Sequence, residues 1–329
     1  MNVAIVGASG AVGQELMKVL HQHNFPIDNL RLFGSERSAS KEYEFKGKKV
    51  KVELLNRDSD FSGIDIAFTS AGASTSQEYA DIITRHGAVM IDNSSAFRMD
   101  PTVPLVVPEV NPEEIKNNHG IIANPNCSTI QAVVPLKVLD DKYTIKRIVY
   151  STYQACSGAG QEGVNDLKRG LNGEEPQKFP YQSVNNCLPH IDSFLDNGYT
   201  KEEEKMINET RKILKKPDLK VTATTVRVPV INSHSESINV EFENEFEIDD
   251  LINALKNSSG IVVQDDPENN IYPLAINATG HDESFVGRIR RDFSVSSGIN
   301  FWCVADNVRK GAASNAVQIV QKLIEYDNE

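Results

Sequence analysis

Apolar and polar positions alternate in two different ways along this chain, and the change of pattern divides it. In the first third, short apolar runs at residues 3–6, 30–33, 64–68, 88–91 and 105–107 read as strands, with helical spacing at 14–20 and 77–85 between them. Strands separated by helices imply a parallel sheet with crossover connections. Beyond about residue 127 the apolar stretches lengthen, at 146–154, 220–230, 237–243 and 293–304, and several alternate with period two. That is the pattern of an antiparallel sheet with one covered face. Residues 172–180 read as a loop, residues 201–214 as a highly charged helix with a solvated face, and residues 311–326 as an amphipathic helix returning to the first domain.

The expected fold is therefore α/β: an N-terminal Rossmann-type dinucleotide-binding domain and a second α+β domain on a mixed, largely antiparallel sheet. The expected division places residues 1–126, completed by a C-terminal helix at 307–329, in the first domain and 127–306 in the second. A length of 329 residues is enough for two cores.

A net charge of -12 argues against nucleic acid and against anionic membrane surfaces as partners. No apolar run approaches a membrane span, and the opening residues resemble a strand rather than a signal peptide, so a cytoplasmic location is expected. Cys127, Cys156, Cys187 and Cys303 lack metal-ligand spacing and are read as reduced; no metal is expected.

Two features carry chemistry. Gly7, Gly10 and Gly13, with Ala8, Ser9, Ala11 and Val12 between them, follow the first strand and open the first helix. Such a loop lets the backbone approach a pyrophosphate whose oxygens meet helix N-terminal N–H groups. At the end of the second strand, Ser35, Arg37 and Ser38 suit a 2′-phosphate and point to NADP, whereas Glu36 could serve an NAD ribose.

The second feature is Cys127, placed after the apolar run 120–123 and the turn Asn124-Pro125-Asn126, where a helix begins. A helix N-terminus favours the nucleophilic thiolate, although a free cysteine can equally be a small core residue. A thiol and a nicotinamide in one chain suggest aldehyde oxidation through a thioester, or its reverse. His234, in a polar turn after a long strand, is the best candidate base, with His190 and His281 as alternatives.

Taken in order, residues 7–13, Ser94-Ser95-Ala96-Phe97-Arg98, residues 106–111, Asn124-Pro125-Asn126-Cys127-Ser128-Thr129, Gln154-Ala155-Cys156-Ser157-Gly158-Ala159-Gly160, Arg227-Val228-Pro229-Val230 and residues 306–313 resemble the aspartate-semialdehyde dehydrogenase family. The resemblance implies NADP-dependent, reversible interconversion of aspartate β-semialdehyde plus phosphate with β-aspartyl phosphate, on the route to lysine, threonine, methionine and diaminopimelate. It implies Cys127 as nucleophile, His234 as acid/base and Gln154 as the substrate-orienting amide.

It further implies that Arg227 binds the substrate α-carboxylate, Arg98 and Lys205 the phosphate, and Glu202 the amino group, with Asn126 as a further substrate-binding residue. Ser157, Gly158 and Asn307 are implied as cofactor contacts with Gly7, Ser9, Gly10, Ala11, Val12, Gly13, Ser35, Arg37 and Ser38. A homodimer through the second domain, or a dimer of dimers, is implied too. Cys156 stands where many members have a small aliphatic residue, and Ser40 where glycine is common. The rival readings are an N-acetylglutamyl-phosphate reductase, a glyceraldehyde-3-phosphate dehydrogenase, and a non-catalytic NADP-binding regulator.

Overall fold

The computed structural model describes residues 1–328. The chain separates into two compact units, one of Met1–Asn126 with the chain from Ala312 onward, the other of Cys127–Gly311. Residue 329, the last of the expected C-terminal helix, lies outside the described residues.

The first unit is a seven-stranded sheet. Its strands are β1 (Asn2–Val6), β2 (Asn29–Gly34), β3 (Glu42–Phe45), β4 (Lys48–Leu54), β5 (Ile66–Thr69), β6 (Val89–Asp92) and β7 (Ile121–Ala123), in the order β3-β4-β2-β1-β5-β6-β7. All neighbours pair in parallel except β3 with β4. Both faces are dry. Val3 and Ile5 point with Leu30, Leu32 and Phe68 into a core closed by α1 (Ala11–Gln22) and the C-terminal helix (Ser314–Asp327). Ala4 and Val6 point the other way, with Phe33, Met90 and residues of α2 (Ala73–Thr84). Burial on both sides is why these strands are unbroken apolar runs. β1 has β2 on one side and β5 on the other, so the turn after β1 opens at the switch point where such sheets take ligands.

Two expectations for this unit change. Residues 105–107 form only an isolated bridge, Leu105 to Ala123, because Pro104 and Pro108 on either side have no N–H to extend a ladder. The hairpin β3–β4 is new. Its turn residues Lys46 and Gly47 both have positive φ, 49° and 76°, as a two-residue hairpin turn requires.

The second unit holds α3 (Cys127–Tyr143), β8 (Ile145–Gln154), α4 (Gln161–Leu171), α5 (Lys201–Ile213), β9 (Lys220–Arg227), β10 (His234–Phe242), α6 (Ile248–Lys256), β11 (Ile261–Val263), α7 (Ala275–Ala278), β12 (Ser284–Arg291) and β13 (Gly298–Ala305). Its sheet runs β11-β12-β13-β10-β8-β9 and is mixed: the three central pairings are antiparallel, the two outer ones parallel. Along β10 burial alternates strictly, one face being wholly buried and the other half-buried. α3 and α5 pack on the buried face.

The strand expected at 293–304 starts at Gly298, because Asp292 accepts hydrogen bonds from the Ser294 N–H and hydroxyl and holds a turn there. Likewise the strand expected to reach residue 230 ends at Arg227. The last helical stretch opens as a wider π turn at Arg309–Ala313 and becomes α-helical at Ser314. Among the described residues no helix is long and apolar enough to cross a membrane.

Candidate active site

Cys127 is the first residue of α3, four residues beyond the end of β7, so a local strand-turn-helix places its sulfur at a helix N-terminus. Its Sγ lies 3.2 Å from His234 Nε2. Gly311 is packed directly against it: a Cβ added at Gly311 would stand 2.8 Å from Cys127 Cβ, so any side chain there would push the nucleophile.

His234 is not in a polar turn, as its neighbours suggest; it is the first residue of β10, paired with Ala305 and wholly buried. The turn is one residue earlier. Ser233 has φ 72°, a left-handed conformation that is uncommon for serine, and its N–H donates to Asn307 Oδ1 at 2.9 Å. The imidazole is held at both ends. Nδ1 accepts the backbone N–H of Ala155 at 2.9 Å, so the neutral ring carries its proton on Nε2, facing the sulfur. Burial and the nearby Arg227 guanidinium, against a smaller opposing pull from Glu202, bring its pKa down to about 3. The ring is therefore neutral at physiological pH. The backbone carbonyl of His234 accepts Gln131 Nε2 at 3.2 Å.

Four more of the expected residues collect in the same unit. Gln154 Nε2 donates to Glu202 Oε1 at 3.1 Å, and its Oε1 accepts the Thr152 hydroxyl at 2.9 Å. Glu202 Oε2 pairs with Lys205 at 3.2 Å, one turn along α5, and Lys205 also reaches Asp192 at 2.8 Å. Burial alone would lower the Lys205 pKa, but the two carboxylates outweigh it and the net direction is upward.

The solvated-face expectation for α5 fails: Glu202, Glu203 and Glu209 are buried. Glu203 earns its place by capping, accepting the Thr200 N–H at 2.7 Å in a capping box and the Thr225 N–H at 3.0 Å.

Arg227, at the end of β9, pairs in register with Gln154 and is 5% exposed. One guanidinium nitrogen donates to the Ala155 carbonyl at 2.5 Å, which leaves its other N–H groups to hold an anion. Phe179 covers its face, with the ring centroid 5.6 Å away. The loop carrying Phe179 is tied to Asp166, whose carboxylate accepts the N–H groups of Gln177, Lys178 and Phe179.

Gly158 meets this group as well, since a Cβ there would lie 2.9 Å from an Arg227 nitrogen and 3.2 Å from His234 Nε2. Ser157 and Asn307 exchange side-chain hydrogen bonds of 3.0 and 3.2 Å.

The remaining expected residues belong to the first unit. Gly7 has φ 85°, and a Cβ on Gly13 would lie 2.4 Å from the Gly7 carbonyl oxygen, so the tight turn needs glycine at both positions. Gly10 precedes α1 without a side-chain cap, leaving the N-terminal N–H groups of Ala11, Val12 and Gly13 uncapped by any side chain. Ser9 Oγ is buried with no hydrogen-bond partner among the described residues. An uncapped helix start beside an orphaned hydroxyl fits a pyrophosphate. Ser38 donates to the Ser35 carbonyl at 3.1 Å, and Arg37 is exposed beside them. Arg98 is buried, donating to the carbonyls of Asn124 at 2.9 Å and Asn93 at 2.8 Å, and Asn126 is buried next to Cys127 in the chain.

Some contributors were not foreseen. Ala155 acts through its backbone alone, giving its N–H to His234 and its carbonyl to Arg227, and nothing in an alanine signals that. Gly311 lies within a matched motif, but its packing on Cys127 depends on residues far apart in sequence. Gln131, at helical spacing i+4 from Cys127, was readable as sharing its face of α3.

Residues 2–118 match the family model described as semialdehyde dehydrogenase, NAD binding domain, and residues 136–310 the one described as semialdehyde dehydrogenase, dimerisation domain. The aspartate-semialdehyde dehydrogenase of Aquifex aeolicus is 56% identical over 98% of this chain and 97% of its own length. The crystal structure of aspartate semialdehyde dehydrogenase II from Vibrio cholerae, complexed with ASA, superposes with a TM-score of 0.95 at 47% identity, covering 98% of each chain. The Candida albicans enzyme with NADP superposes with a TM-score of 0.77 at 25% identity, again over 98% of each chain. With two family models tiling most of its length and a relative this similar along nearly all of it, the chain belongs to the aspartate-semialdehyde dehydrogenase family.

Proposed function

We propose that this protein is an NADP-dependent aspartate-semialdehyde dehydrogenase of amino-acid biosynthesis, interconverting aspartate β-semialdehyde plus phosphate with β-aspartyl phosphate. The observation that carries the reading is the 3.2 Å approach of Cys127 Sγ to a buried, neutral His234, with Gln154, Glu202 and Arg227 gathered in the same unit.

In the reductive direction the Cys127 thiolate attacks the acyl-phosphate carbon, a C–S bond forms and phosphate leaves. The nicotinamide end of the cofactor, when bound, would supply the hydride to the thioester carbon in this direction, as NADPH, and accept it in the reverse one, as NADP. The resulting oxyanion re-forms the carbonyl and expels the thiolate, and the proton consumed overall ends on phosphate. No step in this account requires His234 to gain or lose a proton. Its Nε2–H stabilises the thiolate and then the carbonyl oxygen, as a fixed donor in a dry site does. This fixed-donor role and the acid/base role that the family resemblance implies for His234 differ in the proton they move, and the pH profile of kcat/KM decides between them.

Arg227 suits the α-carboxylate because a planar fork matches two oxygens. Glu202 suits the substrate ammonium group, Gln154 orients the substrate, and Lys205 is a phosphate contact. Arg98 is proposed as a further phosphate contact and Asn126 as a further substrate contact. The glycine loop, Ser9, Ser35, Arg37 and Ser38 would hold the cofactor phosphates; Ser157, Gly158 and Asn307 would serve its nicotinamide end.

We place the enzyme in the cytoplasm as a homodimer or dimer of dimers. The half-buried face of the second sheet supports the dimer: Tyr153 of β8 and Trp302 of β13 meet over the small Ser235 and Ser237 of β10, with ring centroids 5.4 Å apart, an aromatic surface suited to another sheet face.

The test is an absorbance assay pairing aspartate or acetylglutamate semialdehyde with NADP or NAD. Phosphate-dependent reduction is expected fastest with aspartate semialdehyde and NADP. A preference for acetylglutamate semialdehyde, or a rate independent of phosphate, would overturn the assignment. In the same assay Arg37→Ala should raise the KM for NADP about tenfold or more and that for NAD little, since only NADP carries the 2′-phosphate. Equal increases would remove Arg37 from that contact.

A further inference from the structure

Glu236 lies two residues beyond His234 on the same face of β10 and is wholly buried. The register sets it between Cys303 of β13 and Thr152 of β8, in the row beneath His234. Among the described residues neither of its carboxyl oxygens has a hydrogen-bond partner.

The donors around it are committed elsewhere. The Thr152 hydroxyl donates to Gln154, the Cys303 thiol to the Gln131 carbonyl at 3.4 Å, and the Tyr150 hydroxyl pairs with Thr210 at 3.0 Å. Gln131 spends its amide N–H groups on the carbonyls of His234 and Cys303, while its Oε1 is also buried without a partner.

A carboxylate with neither donor nor cation in a protein interior is strongly disfavoured, and such a group takes up a proton instead. The titratable groups facing Glu236 reinforce this. Glu202 on α5 is already charged and paired with Lys205, while Tyr150 on β8 and Cys303 on β13 can contribute only negative charge; α3 presents the uncharged Gln131. Burial, and then Glu202, push the Glu236 carboxyl well above its ordinary range.

We propose that Glu236 is held as a neutral carboxylic acid whose O–H serves the buried amide of Gln131, the group gripping the His234 carbonyl, and is thereby a positioning residue for the Cys127–His234 pair. The role in catalysis rests on the activity proposed above; the protonation state does not. An ordinary ionised glutamate would leave Gln131 Oε1 unserved and place a second negative charge beside Glu202.

The test compares the full-length protein with Glu236→Gln and Glu236→Leu. Infrared spectra at neutral pH should contain a protonated carboxylic-acid carbonyl band that Glu236→Gln lacks; no such difference overturns the proposal, whether or not the enzyme turns over its expected substrate. In kinetics, Glu236→Leu should lower kcat about tenfold with KM little changed, the scale of a slightly misplaced catalytic pair. Its Tm should not fall, since apolar replacement of a buried polar group is often neutral or stabilising. Glu236→Gln, which keeps a neutral donor, should recover at least half of the lost rate. A wild-type kcat in Glu236→Leu, or a Glu236→Gln as impaired as the leucine variant, would reduce Glu236 to a core residue. If the leucine variant fails to fold, the infrared comparison still decides the protonation state.

Discussion

Cys127→Ala is expected to lower kcat by at least about 10⁴-fold, the scale seen when a covalent nucleophile is removed from a site that otherwise still binds. The decisive version of the experiment looks for the intermediate itself. With aspartate semialdehyde and NADP but no phosphate, the wild-type chain should gain the mass of an aspartyl acyl group on the peptide carrying Cys127, and added phosphate should remove it.

The other cysteines serve as internal controls. Cys156 and Cys303 are buried, and burial pushes both thiols upward, away from the reactive thiolate. Cys187 is exposed and open to alkylation, but it makes no approach to His234. Substrate should protect Cys127 and leave Cys187 labelled. Turnover surviving in Cys127→Ala, or acyl mass on any other cysteine, would end the thioester mechanism.

How far the sequence reveals this site depends on the range of the interactions involved. The Cys127 placement is local: an apolar strand, a proline turn and a helix start lie within a few residues, so the sulfur could be read at a helix N-terminus before any fold was known. The glycine loop is local only in part: Gly13 packs on Gly7 and Ala8, whereas a side chain on Gly7 would meet the backbone of Ser70 and Ala71 after β5.

His234 is the opposite case. Its neighbours Asn232, Ser233 and Ser235 read as a turn, and only pairing with β13 on one side and β8 on the other draws the imidazole into a dry interior. α5 misleads for a related reason. Its charge density suggests solvent, yet Glu202 and Glu203 each find specific partners in β8, β9 or the helix cap, and a buried acid with partners has the same letter in the sequence as a solvated one. The β3–β4 hairpin was hidden by lysines and glutamates on alternating positions, although the Lys46-Gly47 turn was visible.

His234→Ala should lower kcat by about 10²–10³-fold, as removal of a fixed donor to developing charge does, whereas His234→Asn should retain part of the rate if its amide N–H reaches the same atoms. The sharper consequence concerns the proton. With Nδ1 occupied by the Ala155 N–H, an imidazolium would set two N–H groups against each other, so ¹⁵N spectra should show Nδ1 bare and Nε2 protonated throughout about pH 5 to pH 8. The pH profile of kcat/KM should contain no limb from this histidine in that window.

Stability follows with a definite sign. The folded pKa of about 3 lies below the ordinary value of 6.5, so between those values the unfolded chain binds more protons than the native one. His234 therefore contributes nothing to pH dependence above about 6.5 and destabilises the fold progressively as pH falls below it, by up to about 1.4 kcal/mol per pH unit. Acid unfolding of wild-type and His234→Asn should diverge across that range, the histidine protein losing stability faster. Parallel curves, or a doubly protonated ring at neutral pH, would return His234 to the role of a titrating acid/base.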